Sequence, residues 1–178
     1  MGVIQSKAFE PEYRHPVTFT PSFLTFFFYT NHFILSTVDF FMNYWLVKSE
    51  PDVYSFQTLQ DEKVGRWDGV RNYLARNNLR SMEKGDLVLF YHSNIGLEVV
   101  GIARVVREHY PDPTAEKGDW SCVELEPFKP LNKAVPLSII KAHPDLQEFG
   151  LVRTSRLSVM PATFDEFSII LSLGYTQL

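Results

Sequence analysis

Cysteine is almost absent from this 178-residue chain. Cys122 stands alone, so no intrachain disulfide can form and a zinc site built from several thiolates is excluded. Histidine is sparse too. His15, His32, His92, His109 and His143 show no metal-ligand spacing with one another or with another ligand type. No metal and no other cofactor is therefore expected. The Gly-rich signatures that cradle phosphates are missing: there is no P-loop, and no GxGxxG follows a strand. An excess of positive charge is missing as well, with 17 Lys and Arg against 21 Asp and Glu, a net charge of −4. No global field draws polyanions, so any nucleic-acid contact must rest on local charge.

What the chain does have is an ordinary globular balance, 45% hydrophobic and 21% charged, at a length that suits one domain. Aromatic residues are abundant at 15%, and many sit in one segment. From Val17 to Phe41 the chain reads VTFTPSFLTFFFYTNHFILSTVDFF. A membrane-spanning helix needs roughly 20 mostly apolar residues, and Pro21, Asn31, His32 and Asp39 interrupt this run. A basic n-region and a small-residue cleavage site, the marks of a signal peptide, are lacking. Residues 1–41 are read as an upstream extension outside the fold, with Met42 as a natural start and the domain over 42–178. A transit or membrane-associating leader and an added strand are the competing readings. No membrane contact is expected of the folded domain.

After Met42 the pattern becomes orderly. Residues 43–48 alternate around large apolar groups and predict a first strand, stopped by Ser49-Glu50-Pro51. Residues 55–61 predict a short helix capped by Ser55. Residues 65–72 read as a loop. Residues 73–82 predict a helix with Leu74, Leu79 and Met82 facing inward and Gly85 as C-cap. The run DLVLFY (86–91) suits a buried strand, and residues 97–107 a second one, with Gly101 as a bulge or close contact. Tyr110-Pro111-Asp112-Pro113 marks a loop. Residues 120–128 alternate as another strand, 136–142 form a short helix, and 157–159 a short strand before Pro161. Thr163 and Glu166 make a capping box for a last helix ended by Gly174. Short strands with interspersed helices favour an α+β fold around a small curled sheet or barrel over a doubly wound sheet.

Catalytic groupings are few. Cys122 lies in an alternating strand and reads as a buried core thiol. Glu50 and Asp68 form a candidate carboxylate pair for hydrolysis, although each also suits a turn. The segment Arg66 to Lys84 (RWDGVRNYLARNNLRSMEK) is more distinctive. It holds five cationic residues against two anionic ones, a local charge of +3 in a negative chain. Arg76 and Arg80 share a helix face. Arginine's planar fork clamps phosphate, asparagine amides suit base edges, and Trp67 and Tyr73 flank the cluster as stacking platforms. The plainer reading is a core Trp67 beside a solvated, ion-paired helix face.

Four stretches carry a resemblance to a known family: YWLVKSEP (44–51), WDGVRNYLARNNLR (67–80), KGDLVLFYHS (84–93) and RLSVMP (156–161). Together they resemble the EVE domain of the PUA-like superfold, from Met42 to the C-terminus. Leu74 departs from the pattern, standing where the motif carries glutamine. The resemblance implies a PUA-like curled β-barrel of about five or six strands with peripheral short helices. It further implies a non-catalytic reader that accommodates a modified cytosine or adenine of DNA or RNA in an aromatic pocket. Carried onto this chain, Trp67 stacks on the base while Gly69 and Val70 let backbone approach its edge. Asn72, Ser49, Tyr91, His92, Ser93 and Ser158 line the remainder, and Lys48, Arg71, Arg76, Arg80 and Arg156 hold flanking phosphates. Two rivals remain: a hydrolase of a modified base using Asp68 or Glu50, and a protein-interaction module with a vestigial pocket. The expected location is cytoplasmic in a bacterium, nuclear or organellar in a eukaryote.

Overall fold

A computed structural model describes residues 42–178; the extension read over residues 1–41, with His15 and His32, lies outside them. The chain begins with β1 (Tyr44–Ser49) and α1 (Phe56–Glu62), followed by β2 (Gly65–Trp67) and α2 (Tyr73–Arg80). Next come β3 (Leu87–His92) and two long strands, β4 (Glu98–Pro111) and β5 (Ser121–Pro136). The C-terminal part holds α3 (Leu137–Ala142), a single 3-10 turn, α4 (Gly150–Arg153), β6 (Val159–Ala162) and α5 (Phe164–Leu173).

The six strands form one mixed sheet in the order β2-β5-β4-β3-β1-β6. β1 and β3 run parallel, which requires a crossover; α1, β2 and α2 supply it. Their shared position explains the continuous apolar runs, since both central strands are buried. At their base the buried Asp86 carboxylate accepts from Trp45 Nε1 at 2.8 Å and from the Asn43 and Glu83 amides at 3.0 Å, the partners a buried charge requires. β6 pairs antiparallel to β1, with Pro161 opposite Trp45. An edge strand tolerates proline because one side of it has no ladder to feed.

Repeated register shifts interrupt the β4–β5 ladder, and another lies between β3 and β4 at Phe90/Tyr91. Such bulges bend strands and increase their twist. The outcome is a sheet curled far enough that residues flanking both edge strands, Trp67 of β2 and Ser158 ahead of β6, line one cavity.

Several sequence expectations meet the structure closely. Ser55 caps α1 by accepting from the Thr58 amide, and the Thr163–Glu166 capping box starts α5. Others are corrected. Residues 65–67 are a strand, because the Trp67 and Gly65 backbones pair with Val123 and Leu125 of β5. Leu74 points outward, 55% exposed; Ala75 and Leu79 are the buried pair of α2. That helix ends at Ser81, and Gly85, at φ +102°, forms the turn into β3. β4 runs through Tyr110 and Pro111, and β5 extends to Pro136, both beyond the expected limits.

Gly101 sits at the bulge and faces Phe56: a Cβ there would lie 2.4 Å from the ring. Phe56 is buried and has little room to yield. Gly101→Ala is therefore expected to destabilise the fold by about 1–3 kcal/mol through overpacking, measured as a lower urea midpoint with an unchanged slope.

Candidate functional site

The loop joining β2 to α2 carries the informative residues, and a buried carboxylate beyond β4 shapes it. Asp112 Oδ2 accepts from the Gly69 amide at 3.0 Å and from Arg71 Nη1 at 2.6 Å. Its other oxygen accepts from the Thr114 amide and hydroxyl at 2.8 and 2.7 Å. Gly69 is at φ +71° with open space where a Cβ would stand, so glycine is needed there for conformation rather than clearance. Arg71 also donates to the Val70 carbonyl and to Thr114 Oγ1. Burial would push the Asp112 carboxyl up, but the bonds from Thr114 and Arg71 outweigh it and hold its pKa at about 2.

The loop so held forms one wall of a cavity of about 350 Å³, which takes in Trp67, Gly69, Val70 and Arg71. That volume is at the small end of the range for ligand sites. Lys48 and Ser49 from the end of β1, Ser158 ahead of β6, and Val53, Tyr54, Arg66 and Asp68 complete the lining. Trp67 is 7% exposed. The Tyr54 and Phe90 rings lie nearly perpendicular to it, at 84° and 86°, so the indole is a fixed surface rather than a mobile one. Tyr54 donates to Glu62 Oε2 at 2.5 Å, and burial and that carboxylate raise its pKa. Its hydroxyl occupies the space a Cβ on Gly65 would fill. Lys48 donates to the Ser155 carbonyl at 2.7 Å, and burial lowers its pKa.

Of the residues singled out from sequence, Trp67, Gly69, Val70, Ser49, Ser158, Lys48 and Arg71 meet in this cavity. The others lie elsewhere. Asn72 caps α2, its Oδ1 accepting from the Leu74 and Ala75 amides, and it lines an adjacent cavity with Arg156. Tyr91 is buried beneath Lys48, whose amine sits 5.9 Å from its ring centre. His92 Nε2 accepts from the Phe56 amide at 3.1 Å; burial lowers its pKa against the opposing effect of Glu98. The Ser93 amide donates to the Ser49 carbonyl. Arg76 and Arg80 both pair with Asp119. Tyr73 stacks on Trp120 at 5.0 Å and 21°, with the Arg76 guanidinium 5.1 Å from the Tyr73 ring centre and 5.9 Å from that of Trp120. Asp68 does line the cavity, paired with Arg66 at 2.7 Å, and Glu50 does not. Cys122 is buried in β5.

The site residues that sequence reasoning missed are Asp112, Tyr54 and Val53. The spacing Asp112-x-Thr114 inside a Pro-flanked turn is a signal for a carboxylate that bonds its own backbone. Nothing local to it points to Arg71, which is 41 residues away. Among the described residues, no group of three or more His, Cys, Asp or Glu is placed to hold a metal, and no helix is long and apolar enough to cross a membrane.

Residues 43–173 match the EVE domain family. Mouse thymocyte nuclear protein 1 is 36% identical over 169 residues, covering 76% of this chain and 75% of the relative. An Agrobacterium tumefaciens protein solved by crystallography is 43% identical with a TM-score of 0.73, covering 75% of this chain and 94% of the other. The crystal structure of human THYN1 protein in complex with 5-methylcytosine-containing DNA is 32% identical with a TM-score of 0.69, covering 76% and 99%.

The Asp112 network makes stability depend on acid pH. The folded pKa, about 2, lies below the ordinary 3.8, so the contribution is full above about pH 4 and is lost as pH falls through about 2. The shift corresponds to about 2 kcal/mol. Asp112→Asn is expected to lower unfolding free energy by that amount at pH 7. Denaturant titrations of both proteins should converge as pH approaches 2.

Proposed function

Because the chain belongs to the EVE domain family, we propose that its cavity holds a modified base turned out of a nucleic acid, and that it reads this base without altering it. The observation that carries the reading is the cavity itself. One wall is an indole fixed by core packing, another is backbone fixed by a buried carboxylate and its partly exposed arginine, and small hydroxyl groups from Ser49 and Ser158 lie beside them. A flipped base needs these features: an aromatic face, a few polar contacts to its edge, and walls rigid enough to sense an added group. The human relative's complex with 5-methylcytosine-containing DNA supports cytosine methylated at C5, in DNA, as the first ligand to test.

In this reading Trp67 stacks on the base, Ser49, Ser158 and the Gly69–Val70 backbone meet its edge, and Lys48, Arg71 and Arg156 face the flanking phosphates. Arg76 and Arg80 contribute less, since Asp119 already offsets their charge. Asn72, Tyr91, His92 and Ser93 support the walls from behind or beside. A hydrolase reading finds less support: Asp68 is the one carboxylate of the lining, and Arg66 neutralises it.

Trp67 belongs to the core as well as the cavity, and its loss to alanine would remove about 3–5 kcal/mol of stability. Trp67→Phe is the cleaner probe. Wild-type protein is expected to prefer one modified oligonucleotide over its plain counterpart by about 10–200-fold, the discrimination available from one added apolar group. Trp67→Phe should cut that preference several-fold while leaving the salt-dependent phosphate affinity in place. Fluorescence anisotropy against plain and modified cytosine and adenine, in DNA and RNA, measures both. Equal binding to every oligonucleotide, unchanged by the substitution, would overturn the reading.

A further inference from the structure

A second cavity of about 350 Å³ opens beside the base pocket, lined by Asn72, Leu74, Arg153, Ser155, Arg156 and Leu157 among others. The two are lined by neighbouring residues. Arg71 lines one and Asn72 the other; Ser158 lines one and Leu157 the other; and Lys48, from the first, bonds Ser155, from the second. Its lining contains two arginines and no carboxylate. Arg153 has Glu148 at 3.7 Å, and Arg156 has no ion-pair partner among the described residues. Leu74 lies open at 55% exposure on the first turn of α2, an apolar surface where the related motif carries a polar glutamine.

We infer that this cavity is a second nucleotide subsite, taking the nucleotide next to the modified one on the same strand. The inference rests on the reading of the first cavity as a base pocket. Arg156 pairs with the phosphate joining the two nucleotides, and Leu74 packs against the neighbouring sugar or base. A free guanidinium and an exposed aliphatic side chain at one mouth suit a nucleotide, which presents an anion and a flat apolar face together. The ligand is therefore an oligonucleotide rather than a free nucleoside, and its contacts are uneven about the modified base, stronger on one side.

The experiment uses the full chain and single-stranded heptamers with a central 5-methylcytosine. Each phosphate flanking that base is replaced in turn by a neutral methylphosphonate, and each neighbouring base in turn by an abasic site. Affinities are measured for wild type, Arg156→Gln and Leu74→Asp. Both residues are exposed, so the variants are expected to fold. The methylphosphonate on one side is expected to weaken wild type and Arg156→Gln alike, whereas the one on the other side weakens wild-type binding about five-fold and has no further effect in Arg156→Gln, the coupling of an exposed ion pair. The abasic neighbour on that same side should weaken wild type and leave Leu74→Asp unchanged. Identical losses in wild type and both variants would overturn the subsite while leaving the base reading intact. If the one-sided coupling appears but plain cytosine binds as well as 5-methylcytosine, the subsite stands and the base reading fails.

Discussion

The cavity depends on one buried carboxylate. Asp112 gathers four donors from three residues, and two of those residues, Gly69 and Arg71, belong to the loop that follows Trp67. Without an anion at that point the left-handed Gly69 would lose the acceptor for its amide, and Arg71 its main counter-charge. Asp112 is fully buried and Arg71 partly exposed; such a pair adds little net stability over an apolar substitute, but stripping the buried carboxylate of its partner is unfavourable. Its contribution here is positional. It fixes a stretch of backbone against which a small planar ligand can be measured, and a wall that moved by a methyl group's radius could not report a methyl group.

The sheet's curl serves the same end. Trp67 and Ser158 flank opposite edges of the sheet, yet both line the cavity because bulges in β3, β4 and β5 bend the intervening strands. Gly101 and Phe56 sit at that bend, and Phe56 lies edge-on to Phe90, which in turn braces Trp67. A continuous packed path thus runs from the bulge to the indole. The electrostatics are equally local. The chain is negative overall, and of the cations lining the two cavities Arg66, Arg71 and Arg153 have carboxylate partners, while Lys48 and Arg156 have none among the described residues.

Much of the fold was legible in the sequence because its signals are short-range. The Ser55 cap, the Thr163–Glu166 box and the unbroken apolar run of β3 each rest on a few neighbouring residues, and each formed where expected. The site was legible in part. Of the residues the family motifs single out, Trp67, Gly69, Val70, Arg71, Lys48, Ser49 and Ser158 line one cavity. What stayed hidden depends on long-range pairing. Leu74 fits an inward helical position by spacing, yet the face of α2 that packs is set by Ala75 and Leu79. Residues 65–67 look like loop until β5 offers them a partner. Arg76 and Arg80 read as free cations until the β4–β5 connection brings Asp119 beside them, and Asp112 reads as a turn residue until the sheet curls it under Gly69.

Base reading by this cavity requires that the modified base lie against Trp67. The most direct measurement is an isotope-filtered nuclear Overhauser experiment on the protein bound to a single-stranded DNA containing one 5-methylcytosine. Cross-peaks from the 5-methyl protons to the Trp67 indole, and to protons of Ser158 or Val70, are the expected result. Cross-peaks confined to the Tyr73–Trp120 surface, with none at Trp67, would contradict it and place the nucleic acid on the outer face of α2.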